Sequence, residues 1–582
     1  MNKNIFWTAS VFLFSWAQLA GTFSPALILT PYIVKNETAL ARNLSSVNPS
    51  LFLNVTSHSG FLTVDAAKNS NLFFWYFPVP DKPLNTTPWI IWLQGGPGAT
   101  SLAGLFEELG PFYFDKELKL REWSWTKEYS MLFIDSPVGA GFSFTDSDTG
   151  YVRNMDECSN HLYGALQQFL ELFPEHRGAP LYLAGESYAG HFLPTLADKI
   201  LHPPPELDKM LIKNTTINLK GLMMGNPIID RTDEVDLTSA YYQWGLIDSQ
   251  GVIAARPLQA KYEKAVWDKR EADAFSLRND LIDQLSRLSY QVQTYNALKG
   301  SIRLQTFEEF ITRGSIREAI HVGGLRFTFS NATVHNQLLP DFLATISPKI
   351  EELLEHYKIM IYCGQFDLTV PCVPGAKARL KKWRWSRRDQ FLAAPRHPWM
   401  FNESIAGYVK SGGGFTEVLV RNAGHLVPMD KPAEARELIS YFIRGLDLPL
   451  PVNFMEKDIE TPPYVEDPIP AVPGSKQPID NNKASVDPKD GNKASEEPKD
   501  GNKASEEPKE PKDTNKASVD SKQPIDANKG IVASAVLNVV FVVIIILGVV
   551  YWVRWKRRTE TYFYNMIDTE NASLSDGILT MN

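Results

Sequence analysis

Six short apolar runs punctuate the chain: Trp89–Leu93, Met131–Ile134, Leu181–Leu183, Leu219–Met224, Ile359–Tyr362 and Val418–Val420. Each is too short to be a helix and shows no polar alternation, the pattern of a strand covered on both faces. Helix-period segments such as Glu157–Phe173 and Ala433–Ile443 lie between several of them. Strands alternating with helices permit few architectures; the pattern predicts a doubly wound, mostly parallel α/β sheet. Between about Ile229 and Val334 the strand signal lapses, and charged, helix-favouring stretches such as Leu258–Leu298 dominate. A helical cap is expected there, inserted over the carboxyl ends of the strands where α/β sites lie. The 582 residues, 44% of them apolar, suffice for one large core, expected to span residues 23–455.

The ends carry different signals. Residues 1–22 hold Lys3, an apolar run from Ile5 to Ala17, and small residues at Ala20 and Gly21. That run is too short to span a bilayer and reads as a secretory signal peptide. Residues 456–530 are expected to form a disordered stalk. Asn-Lys-Ala-Ser recurs from Asn482, Asn492, Asn502 and Asn515, and no aromatic residue occurs between Tyr464 and Phe541. Such a composition buries too little apolar surface to offset its ordering entropy. As a coil of ~70 residues it spans roughly 45–50 Å r.m.s.. Ile531–Val553 is 23 residues without a charge, followed at once by Arg554, Lys556, Arg557 and Arg558. The positive-inside rule then predicts one transmembrane helix, 531–553, with a cytosolic tail at 554–582. The expected protein is a type I single-pass membrane protein of the secretory pathway, at the cell surface or in endosomes and lysosomes. In the tail, Tyr564-Asn-Met-Ile567 resembles a tyrosine-based sorting signal for an adaptor.

Seven sequons, at Asn36, Asn43, Asn54, Asn85, Asn214, Asn331 and Asn402, lie on the expected luminal side and fit glycosylation of surface loops. The net charge of −8 gives no basic footprint for nucleic acid. Three cysteines (Cys158, Cys363, Cys372) allow at most one bridge and show no zinc-ligand spacing. Cys363 and Cys372 are the nearer pair, but sequence alone does not bring their Cβ atoms together.

The stretch PLYLAGESYAG, residues 180–190, has the outline of a nucleophile elbow, a strand turning sharply into a helix to expose Ser187. Upstream, the run Trp89–Leu93 ends in the glycine-rich turn QGGPG, Gln94 to Gly98. An acyl-transfer enzyme needs two backbone N–H groups aimed at the developing oxyanion, one from such a turn and one from the residue after the nucleophile. Downstream, Ile359–Tyr362 leads to GQFD, ending at Asp367, and Val418–Val420 leads to NAGH, ending at His425. In a parallel sheet these residues sit level with Ser187, and the order Ser, Asp, His matches α/β-hydrolase topology. His425 is the expected base and Asp367 the group that holds its tautomer. This chemistry calls for no cofactor and no metal.

WLQGGPGATSLAGLFEELGPF, FIDSPVGAGFSF, GESYAG, NAGHLVPMDKP and SGFLTV together resemble the serine carboxypeptidases, among animal members most of all the vitellogenic-like and lysosomal protective-protein branches. The resemblance spans roughly residues 30–450. It implies a triad of Ser187, Asp367 and His425 and an oxyanion hole from the amides of Gly96 and Tyr188. It also implies that Gln94, Gly95, Glu108 and Glu186 bind the terminal carboxylate of a peptide, and that peptide or protein C-termini are the substrates. The chain departs from the family at Gln94, where Asn is usual, at Ala99, where many members have cysteine, and at Leu426, where Met is common. Two other readings share these residues: an acyltransferase on the same scaffold, and a non-catalytic, membrane-anchored peptide-binding protein. Whether the chain forms a homodimer stays open.

Glu186 beside a nucleophile is otherwise hard to understand, since its charge opposes the oxyanion. If Glu186 and Glu108 lie side by side they cannot both stay ionised, because two unit charges 4 Å apart repel by ~4 kcal/mol at an effective dielectric of 20. The protonated partner then donates to a substrate carboxylate, so activity is expected to be favoured in acid.

Overall fold

Burial on both faces sets the centre of the sheet. The computed structural model describes residues 23–450, apart from 205–216, 231–235, 372–382 and positions 291, 301, 303, 305 and 343. In chain order the strands are β1 (Ser46–Val47), β2 (Ser57–Asp65), β3 (Ser70–Phe77), β4 (Trp89–Leu93), β5 (Phe112–Asp115), β6 (Glu117–Leu120), β7 (Ser130–Ile134), β8 (Leu181–Glu186), β9 (Leu219–Gly225), β10 (Lys358–Gly364), β11 (Arg396–Phe401), β12 (Ser404–Gly412) and β13 (Phe415–Val420). Every residue of β4, β7 and β8 is buried.

Eleven strands form one sheet in the order β1-β2-β3-β7-β4-β8-β9-β10-β13-β12-β11, and β5 and β6 pair separately. The six strands from β7 to β13 run parallel. Antiparallel pairs extend both margins, β1 to β3 on one side and β12 and β11 on the other. Along β4, Trp89, Ile91 and Leu93 enter one core while Ile90 and Trp92 enter a second. The helices Met155–Leu172 and Ala189–Leu201 cover the first face, and Pro432–Arg444 covers the second. After β4 the chain adds β7 on one side and then β8 on the other, so the crevice between β4 and β8 is a topological switch point, where ligands bind in open α/β sheets.

The stretch expected to be a cap at 229–334 is divided. Helices Leu237–Gln243, Ser249–Trp267 and Glu271–Leu288, with Ala332–Phe342 extending past the expected end, contribute to the first core. Phe307, Phe310, Ile316 and Ile320 pack into the second core instead. There the N-terminal segment ties them down: Leu27 N donates to His321 O and Ser59 Oγ to Ile320 O. Apolar packing against Phe52, Phe106 and Phe114 thus draws this segment away from the cap.

Among the described residues no helix is long and apolar enough to cross a membrane. The signal segment 1–22, the stalk 456–530, the span 531–553, the tail 554–582, Asn214 and Cys372 lie outside the described residues. Cys363 is disulfide-bonded and Cys158 carries a free, buried thiol. Asn36, Asn43, Asn54, Asn85 and Asn402 are exposed. Asn331 departs from the expectation of a surface acceptor. It is half-buried, its Nδ2 donates to Gly139 O at 2.8 Å and its Oδ1 accepts from Thr333 N, so the nitrogen a glycan would need is engaged inside the fold.

Candidate active site

The elbow is built by strand β8 running into the helix Ala189–Leu201, with Ser187 at φ 59°, the left-handed region that serine rarely occupies. Ser187 N donates to Gly225 O, and Ile228 N and Gly190 N both donate to Ser187 O, so the strained turn is held from three directions. A Cβ on Gly95 would lie 2.6 Å from Tyr188 N and 2.8 Å from Ser187 Cβ. Only glycine lets the turn after β4 lie against the elbow. Neither Gly96 N nor Tyr188 N donates to a protein acceptor among the described residues. Two free amides next to a serine are what an oxyanion requires. The Tyr188 ring points away into the core, stacked on His191 at 4.7 Å and on Phe342 at 5.5 Å.

His425 Nδ1 donates to Asp367 Oδ2 at 2.7 Å, and both side chains are almost wholly buried. Asp367 is itself tightly held. Asn226 Nδ2 donates to the same Oδ2 at 2.6 Å, and the amides of Thr369 and Val370 donate to Oδ1 at 2.7 and 3.0 Å. Asn226 lies just past the end of β9 and also accepts from Gly364 N, which ties it to β10. The sequence reading assigned β9 no functional residue, although the strand-end rule that picked out the other three applies equally there. Tyr295 was also missed. Its carbonyl accepts from His425 N at 2.6 Å, and its ring stands edge-on to the imidazole at 5.2 Å.

Ser187, His425, Gln94, Gly95, Gly96, Glu108 and Glu186 line one cavity of about 400 Å³. Asp367 sits behind His425. Glu108 ends a π-helical turn, Gly104–Glu108, and is buried. Arg121 braces that turn from behind, donating to the carbonyls of Phe106, Gly110 and Phe112. The Trp92 indole donates to Gln94 Oε1 at 3.0 Å, which turns Gln94 Nε2 towards Glu186 at 2.6 Å and Glu108 at 3.4 Å. Burial pushes the Glu108 carboxyl up to about 7. Burial and the adjacent Glu108 charge hold Glu186, which is in hydrogen-bond contact with Glu108, well above the ordinary carboxylate range. The cap supplies part of the remaining lining, including Phe275, His335 and Phe342, none of which the sequence reading singled out.

The arrangement can generate a serine nucleophile, stabilise an oxyanion, and offer a protonated carboxyl to an anion in the same cavity. The profile described as serine carboxypeptidase matches residues 48–445. A venom serine carboxypeptidase of Apis mellifera is 38% identical over 435 residues, covering 72% of this chain and 90% of its own. A vitellogenic carboxypeptidase of Aedes aegypti is 37% identical, with 72% and 90% covered. A probable serine carboxypeptidase of Homo sapiens is 34% identical, with 73% and 91% covered. Among solved structures, a prohormone-processing carboxypeptidase from Saccharomyces cerevisiae shares the fold, with a TM-score of 0.61 and 22% identity over 69% of this chain and 96% of that one. Profile, relatives and fold agree: the chain belongs to the serine carboxypeptidase family.

Proposed function

We propose that this serine carboxypeptidase releases single residues from peptide C-termini through a Ser187–His425–Asp367 acyl-enzyme mechanism that is favoured in acid. Ser187 Oγ attacks the scissile carbonyl carbon as His425 Nε2 takes its proton, and Asp367 holds Nδ1–H so that Nε2 is the basic nitrogen. The oxyanion lies between Gly96 N and Tyr188 N. When the C–N bond breaks, His425 returns the proton to the leaving amine, and the free amino acid departs. Water, activated by the same imidazole, then hydrolyses the Ser187 ester.

The terminal carboxylate of the substrate is received by Gln94, the Gly95 amide and the Glu108–Glu186 pair, of which Glu186 keeps its proton first. The observation that carries this reading is that the buried glutamate pair and Ser187 face the same cavity. Only a substrate ending about one residue beyond the scissile bond can reach both. We also read the secretory signal at 1–22 and the span at 531–553 as delivering the enzyme to the luminal side of a membrane, on a tether that can reach acidic compartments.

The test is release of amino acids from a peptide library at pH 5 and pH 7, with Ser187→Ala as control. Free C-terminal residues should appear faster at pH 5, and C-terminally amidated peptides should resist. Equal cleavage of amidated and free peptides would overturn the carboxylate role of the pair.

A further inference from the structure

Asn331 heads a sequon, yet it sits where three segments of the chain are joined. Residues 328–331 form a short strap. Thr328 and Gly141 exchange both of their backbone hydrogen bonds, at 3.1 Å each. Thr100 N donates to Phe329 O and Asn331 N to Gly98 O, both at 3.0 Å. The strap thus ties the glycine turn that carries Gly96 to the loop that carries Gly139 and Gly141.

The Asn331 side chain closes this joint. Its Nδ2 donates to Gly139 O at 2.8 Å, and its Oδ1 accepts from Thr333 N at 2.8 Å, capping the first turn of the helix Ala332–Phe342. That helix brings His335 and Phe342 to the active-site cavity. A Cβ on Gly98 would lie 2.9 Å from Asn331 O, and one on Gly139 would lie 3.2 Å from Asn331 Nδ2, so the segments meet at backbone distance. A sugar bonded to Nδ2 would have to enter that contact.

The glycine turn depends on such outside support. Gly96 and Gly98 stand at φ 110° and 92°, and neither has a side chain to hold that conformation. The turn is fixed before and after them: Gly95 lies against the elbow, and Thr100 Oγ1 and Ser101 N donate to Asp135 Oδ1 at 2.6 and 2.9 Å. Between those points Gly98 O accepts from Asn331 N.

We propose that Asn331 is a positioning residue for the oxyanion hole and not a glycan acceptor: its side chain locks the strap to Gly139 and to the cap helix, and so fixes the direction in which Gly96 N points. This rests on the acyl-enzyme reading, in which the Gly96 amide meets the oxyanion. Charge develops on that oxygen only as Ser187 attacks, so a loosened turn costs turnover and leaves peptide binding unchanged.

The experiment uses the full chain made in a eukaryotic secretory host. It measures the mass of the proteolytic fragment containing Asn331, and kcat and KM at pH 5 per titrated active site. Asn331→Asp keeps the cap but sets a carboxylate against Gly139 O; Asn331→Ser keeps the cap and is too short to reach it. Each should lower kcat by ~10-fold or more, with KM within about twofold of the wild type. Ki for a peptidyl boronate, whose tetrahedral adduct places an oxygen in the hole, should rise by the same factor as kcat falls. Thr333→Ala destroys the sequon and leaves Asn331 in place, so it should turn over as the wild type does, and the wild-type fragment should carry no glycan. A glycan on Asn331, loss of activity in Thr333→Ala, wild-type kcat in either Asn331 variant, a change confined to KM, or a fall in kcat that the boronate Ki does not follow would overturn the proposal with the enzyme assignment intact. Failure of the wild type to release residues in a Ser187-dependent way would overturn the acyl-enzyme reading, and this role of Asn331 with it.

Discussion

Asp367 and the Glu108–Glu186 pair are each 1% exposed, yet the protein treats their carboxyl groups in opposite ways. Asp367 receives four donors: two amides, the Asn226 amide and the His425 imidazole. The glutamates have one neutral amide, Gln94, between them, and otherwise face each other. Four donors replace the water a carboxylate gives up on burial, whereas one shared amide does not. The first carboxyl is therefore fixed in place to orient a base. The second site is left to keep a proton and become a donor. Burial alone does not separate these two sites; the donors around each carboxyl differ.

The largest effect should come from breaking the donor-rich site. Asp367→Asn keeps the shape but offers the imidazole an amide, so the wrong tautomer of His425 is favoured. A fall in kcat of ~10⁴-fold is expected, with KM for a free-C-terminal peptide nearly constant. Loss of less than tenfold would mean that Asp367 does not orient the base. Asn226→Ala removes one donor of the four and should lower kcat by ~10–100-fold, the cost of a hydrogen bond to a charged group.

The difference between these two residues also marks how far the sequence could be read. Asp367 and His425 stand directly after apolar runs that are covered on both faces, and such strands announce themselves. Asn226 stands after an equally clear strand, but Asn-Pro reads as turn chemistry, and only the register of β9 against β10 turns its amide towards Asp367. Strand β3, SNLFFWYF, is buried along its whole length yet lies outside the strand–helix alternation that made the others legible. Strands β11 and β12 sit at the sheet margin with mixed burial, where no single-face pattern develops. The cap was legible as helix but not as two parts. Its aromatic wall was not legible, since Phe275 meets His335 and Phe342 only through tertiary packing.

The donor-poor site predicts a pH effect in two independent readouts. For activity, a charge on the pair repels the substrate carboxylate, so kcat/KM should fall as pH rises past about 7, where Glu108 ionises beside Glu186. Glu108→Gln removes that ionisation and should flatten that fall; an unchanged profile would count against the pair as the receptor. For stability, the folded form of Glu108 binds its proton up to about 7, whereas the unfolded chain releases it near 4.5. The native state then holds more protons than the unfolded state between those values, so stability falls as pH rises from 4.5 to 7, by roughly 3 kcal/mol. Thermal melts of Glu108→Gln should show a shallower slope, the remainder belonging to Glu186, which is also held above the ordinary carboxylate range.

The smallest effect should come from the support of the pair rather than the pair itself. Among the described residues Arg121 meets no carboxylate directly; its guanidinium gathers the carbonyls of Phe106, Gly110 and Phe112 and so fixes the π-helical turn that aims Glu108. Lysine carries the same charge but cannot bridge three carbonyls from one plane. Arg121→Lys should therefore loosen the aim of Glu108 and raise KM for free-C-terminal peptides by about 3–10-fold, the loss of about one hydrogen bond, while kcat stays within about twofold. Charge is conserved in this variant and geometry is not. If KM holds steady, the long-range charge of Arg121 governs Glu108; if it rises with kcat intact, the backbone brace does.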